Sequence, residues 1–76
     1  MQNADQTLDA RGMNCPLPIL RTRKALTGMA SGQTLKVLAT DPGSVKDMQS
    51  FCEQTGHTLE ASNQQAEDFS FLIRKP

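Results

Sequence analysis

The sequence predicts a two-layer α/β (α+β) sandwich in the order β-α-β-α-β-β, with a mixed four-stranded sheet and two helices on one face. Three observations predict it. Apolar residues alternate with outward-facing ones in Leu35, Val37, Ala39 and again in Phe69, Phe71, Ile73, the period of strands covered on one side. Two other segments, each opened by a proline, repeat their apolar residues at helical spacing. Right-handed crossovers then put both helices on the same side of the sheet.

The elements follow in order. Thr7 to Ala10 is a short first strand with Leu8 and Ala10 on one face. Arg11 to Asn14 is a loop in which Gly12 permits a sharp turn. Pro16 to about Met29 is the first helix, with Cys15 as N-cap, Pro16 as first helical residue and Pro18 in the first turn, where a missing N–H costs nothing. Its core face is Ile19, Thr22, Leu26, Met29 and Ala30, and Gly28 weakens its last turn.

Thr34 to Thr40 is the second strand, with Leu38 the one apolar residue on its outer face. Asp41 then caps a second helix that starts at Pro42, runs to about Thr55 and stops at Gly56. Val45, Met48, Phe51, Cys52 and Thr55 are its apolar face. His57 to about Asn63 is the third strand, with Leu59 and Ala61 inward; Gln64 to Glu67 is a turn; the last strand completes a hairpin. Seventy-six residues suffice for one domain, 1–76, with a thin core and with residues 1–6 and Pro76 expected to fray.

Composition excludes several classes of function. Eight basic and eight acidic side chains balance, and Trp and Tyr are absent. Neither a field for nucleic acid nor a stacking platform is supplied, so no direct nucleic-acid contact is expected. No stretch is long and apolar enough to span a membrane, and Met1 to Asp5 lacks the basic start and apolar run of a signal peptide. A cytoplasmic location, no membrane partner and a monomeric state are the expectations.

The chemistry centres on Cys15-Pro16-Leu17-Pro18. A cysteine where Ser, Thr, Asp or Asn would cap better points to a chemical role. The positive end of a helix favours thiolate, the nucleophilic form. Cys52, on the apolar stripe of the second helix, reads as a small core residue. Cys15, Cys52 and His57 lack the tight paired spacing of a structural zinc site, and no metal is expected. Asp9 and Arg11 are placed to pair and fix the loop before Cys15, whereas Asp41 and Asp47 read as helix-start charges. Leu17, Leu20, Arg21 and Lys24 cluster on the helix face opposite the core, a docking patch for an acidic partner surface, with Arg23 toward the margin of the core face.

The run Leu8-Asp9-Ala10-Arg11-Gly12-Met13-Asn14-Cys15-Pro16-Leu17-Pro18 resembles the signature of the TusA family of small sulfur carriers, also called SirA-like: Leu-Asp, a glycine, then Cys-Pro-x-Pro. The resemblance continues through Arg23-Lys24, Gly32, Leu35-Lys36-Val37, Asp41-Pro42, Phe51-Cys52, Gly56-His57 and Phe71 to Lys75. It implies the β-α-β-α-β-β sandwich and a carrier-type sulfurtransferase. Cys15 would hold sulfur as a covalent persulfide without other cofactor, and Asp9, Gly12, Pro16 and Pro18 would support the motif. The donor would be a cysteine desulfurase. The acceptor would be a further protein leading to 2-thiouridine in transfer RNA or to molybdenum-cofactor chemistry. A regulatory or redox adaptor that binds a partner through the exposed helix face is the alternative.

Overall fold

The computed structural model describes residues 4–76. Six elements follow in the expected order: β1 (Gln6–Ala10), α1 (Leu17–Thr27), β2 (Thr34–Ala39), α2 (Ser44–Thr55), β3 (Thr58–Gln65) and β4 (Asp68–Arg74). They build one four-stranded sheet in the order β1-β2-β4-β3. β1 runs parallel to β2, and β4 is antiparallel to both its neighbours, β2 and β3. β3 is therefore parallel to β2 across the intervening β4, and each helix is the crossover of a parallel unit.

The core lies between the helices and one face of the sheet. Leu35, Val37 and Ala39 of β2 pair with Ile73, Phe71 and Phe69 of β4, so the two alternating sets share that face. Leu26 of α1, Met29 in the turn after it, and Met48, Phe51 and Cys52 of α2 close over them.

The boundaries differ from the sequence expectation for local reasons. α1 ends at Thr27 with Gly28 as its cap, so Met29 is buried from the following turn and Ala30 is exposed, off the core face. The end of α1 is held by Lys75, whose Nζ donates to the Leu26 and Met29 carbonyls at 2.8 and 2.7 Å. A cation there complements the negative end of the helix. α2 begins at Ser44, not Pro42, because Asp41 to Ser44 first form a turn in which the Ser44 N–H donates to the Asp41 carbonyl. Gly56 stops α2 as expected, at φ +79°.

The largest correction concerns β3. A bulge between Leu59 and Ala61 changes the phase of the strand. Leu59 opposes Ile73 on the core face, whereas Ala61 opposes Leu72 on the outer face. Leu72 is nonetheless buried. The hairpin loop is also shorter than expected: Gln65 pairs with Asp68, and only Ala66 and Glu67 turn, with Ala66 at φ +56°. At the other end, fraying does not reach Asp5 or Gln6. Asp5 exchanges main-chain and side-chain hydrogen bonds with Thr34, and Gln6 opens β1; residues 1–3 lie outside the described residues. Among the described residues no helix is long and apolar enough to cross a membrane.

Candidate functional site

β1 and β2 are parallel neighbours, so the loops that follow them emerge side by side at one end of the sheet. The first loop carries Cys15 and the second carries Asp41. Gly12, at φ +81°, turns the first loop, and its N–H donates to Thr40 Oγ1 at 2.9 Å. A side chain at that φ would be strained. Asp9 accepts from the Arg11 main-chain N–H at 3.1 Å and forms an ion pair with its guanidinium at 2.9 Å. Arg11 also reaches Asp68 at 3.7 Å, which ties the hairpin end to the same loop. The Arg11 guanidinium holds the Asp9 carboxyl down at about 2.

Cys15 is exposed, and its own N–H donates to Asp41 Oδ2 at 2.9 Å. The other Asp41 oxygen accepts from the Gly43 N–H at 3.1 Å. One carboxylate thus fastens the cysteine loop to the start of α2. The Cys15–Pro16 peptide is cis. The Leu17 N–H donates to the Asn14 carbonyl, and the first helical bond runs from Leu20 N–H to the Pro16 carbonyl at 3.1 Å. Pro16, not Cys15, is therefore the N-cap, and the thiol stands one residue outside the helix. Pro18 is buried in the first turn, and Thr22 Oγ1 donates to its carbonyl at 2.7 Å.

This shift changes the electrostatics expected from sequence. The Cys15 thiol borders an open cleft of about 240 Å³ between the two helices, with Asp47 and Gln54 of α2 and Arg23 of α1 also on its walls. The nearby Asp47 carboxylate pushes the thiol pKa up, together with partial desolvation and the Asp41 charge. The sulfur lies outside the first turn of α1, and the Asp47 and Asp41 carboxylates favour its protonated form.

Arg23 lies over the Phe51 ring, 5.4 Å from its centroid, and separates this cleft from a second one of about 200 Å³. His57 lines the second cleft. It stacks on Phe51 at 5.5 Å, and its Nδ1 is 2.6 Å from Thr55 Oγ1. Thr55 thus orients the imidazole. Cys52 is buried at 4 % exposure, and burial pushes its thiol up. Cys15, Cys52 and His57 are not brought together into one site. Leu17 and Leu20 are exposed at 47 % and 53 %, beside exposed Arg21 and Lys24.

Sequence reasoning missed Asp47 beside the thiol and the Asp41 link to Cys15. The Asp41 link had a signal: two successive strand ends in parallel register bring their following loops together.

Fold and site together define a small two-layer domain that offers a single exposed thiol at the mouth of an interhelical cleft. The family model described as Sulfurtransferase TusA matches residues 6–75, and the chain belongs to the TusA family of sulfur carriers. It is 57 % identical over 75 residues to the sulfur carrier protein TusA of Allochromatium vinosum, covering 99 % of each chain. It is 48 % identical over 69 residues to a putative sulfur carrier protein of Neisseria meningitidis serogroup A, covering 91 % of this chain and 93 % of the other. A SirA-like protein from Desulfitobacterium hafniense, known from its crystal structure, superposes with a TM-score of 0.80 at 28 % identity, covering 91 % of this chain and 95 % of that one.

Proposed function

We propose that the chain carries sulfur as a persulfide on Cys15, accepting it from a cysteine desulfurase and passing it to an acceptor protein. The observation that carries this reading is the contrast between the two thiols. Cys15 is exposed on a fastened loop, while Cys52 is sealed in the core. The Cys15 thiolate attacks the outer sulfur of the donor persulfide. A new S–S bond forms on Cys15, the donor S–S bond breaks, and its electron pair leaves with the donor cysteine. An acceptor thiolate repeats the exchange and frees Cys15. An open cleft suits a thiol that must meet two partners in turn. Asp9, Gly12, Pro16 and Pro18 shape the loop and helix start that present the sulfur. Leu17, Leu20, Arg21 and Lys24 form the docking face, which fits an apolar and acidic partner surface. The acceptor belongs to a transfer RNA 2-thiolation or molybdenum-cofactor type of pathway.

The test is intact-protein mass spectrometry after incubation with a cysteine desulfurase and free cysteine, without reductant. Wild type and Cys52→Ser gain sulfur that a thiol reductant removes, and Cys15→Ser gains none. Loading that survives Cys15→Ser and is lost with Cys52→Ser would overturn the assignment. The exposed Leu17 and Leu20 also favour a second reading, a regulatory adaptor. Partner capture that persists in Cys15→Ala, together with no sulfur loading of wild type, would select it.

A further inference from the structure

We propose that Asp47 restrains the Cys15 thiol in the free protein, and that a sulfur donor bearing a lysine or arginine beside its persulfide releases it. The inference rests on the persulfide-carrier reading. Asp47 lies in the first turn of α2 and lines the cleft that Cys15 borders from the end of the loop between β1 and α1. A carboxylate in the first turn already suits the positive end of its own helix. Here it also faces a sulfur atom, and a negative neighbour favours S–H over thiolate.

The other charges around the thiol are Asp41, which is fastened to the Cys15 N–H, and Arg23 of α1. Arg11 is engaged with Asp9 and Asp68. Among the described residues Arg23 is the one cation on the cleft wall, and its guanidinium lies on the Phe51 ring. The resting site is therefore weighted toward a protonated, unreactive sulfur. A docking cation that pairs with Asp47 removes the restraint. The Cys15 S–H bond then breaks with its proton going to solvent, and the retained electron pair forms the new S–S bond. The donor S–S bond breaks, and the departing donor thiolate takes a proton from solvent. The carrier is thus quiet toward casual electrophiles and reactive in the complex.

The experiment compares wild type, Asp47→Asn and Asp47→Lys, the last placing in cis the cation that a donor would bring. Iodoacetamide alkylation of Cys15 is followed against pH by peptide mass mapping, with thermal melts as a check on folding. The alkylation midpoint falls by about half to one pH unit in Asp47→Asn, about a three- to tenfold rise in thiolate at neutral pH, and falls further in Asp47→Lys. Coincident profiles, or a midpoint that rises, overturn the restraint. A purely helix-stabilising role for Asp47 moves the melts and not the midpoints. In parallel, the desulfurase concentration that half-saturates sulfur loading rises for Asp47→Lys, because the donor cation meets a like charge. Loading that instead becomes easier in step with alkylation overturns the role of the donor cation. If wild type takes up no sulfur while the midpoints shift, the restraint stands and the carrier reading falls, so the two failures are distinct.

Discussion

The Asp41 carboxylate accepts the Cys15 main-chain N–H at 2.9 Å and the Gly43 N–H at 3.1 Å, so a residue 26 positions downstream holds the Cys15 loop in place. Cys15 is held on an irregular segment because this link and the Gly12–Thr40 hydrogen bond replace the regular ladder that the loop lacks.

Replacing Asp41 with Ala removes both acceptors. The expected cost is about 1–2 kcal/mol, in the range of a lost helix-start cap and a charge-assisted hydrogen bond. Urea denaturation measures the loss. Amide hydrogen exchange at Cys15, read by NMR, becomes faster than in wild type. An unchanged exchange rate at that amide would show that the loop is held by other contacts.

Leu17→Gln with Leu20→Gln leaves the fold in place, since both side chains are about half exposed at 47 % and 53 %. The stability change stays within about 0.5 kcal/mol for each substitution. Sulfur loading at limiting desulfurase falls, while iodoacetamide alkylation of Cys15 is unaffected. Equal loading of the double variant and wild type would remove α1 from the docking face.

Acid stability carries the mark of Asp9. Its carboxyl is held at about 2 in the folded chain, below the ordinary 3.8, by the Arg11 guanidinium and main-chain N–H. A depressed folded pKa means stabilisation present above the ordinary value and lost as the pH falls through the folded one. The stability difference between wild type and Asp9→Asn therefore shrinks as pH falls from about 4 to about 2. Carboxyl chemical shifts place the Asp9 midpoint directly, and a midpoint near 3.8 would contradict the ion pair.

Ala66 occupies the left-handed region at φ +56° in the two-residue hairpin turn. A Cβ costs about 1–2 kcal/mol in that conformation, part of which glycine returns through its larger unfolded-state entropy. Ala66→Gly is expected to raise stability by up to about 1 kcal/mol. A lower denaturation midpoint for this variant would show that the turn gains from its methyl group.

Much of the fold was legible because its signals are local. The alternation in Leu35-Val37-Ala39 and Phe69-Phe71-Ile73, the stop at Gly56 and the exposed Leu17-Leu20 face all survive in the structure. β3 was not fully legible. Its bulge between Leu59 and Ala61 is set by pairing with β4, and the residues Thr58 to Gln65 are too polar to reveal a change of phase. Lys75 at the end of α1 was hidden for a related reason, since it lies 49 residues from one of the carbonyls it caps.

At the site the division is sharper. The sequence by itself determined which thiol is available, because Cys15 precedes a proline-opened helix and Cys52 falls on an apolar stripe, and both facts depend only on near neighbours. Only the tertiary structure decided which charges surround that thiol. The parallel register of β1 and β2 and the packing of α2 beside α1 bring Asp41 and Asp47 to Cys15. Charges act through space, so carboxylates more than twenty residues away along the chain bear on a thiol that the sequence shows only beside a helix start.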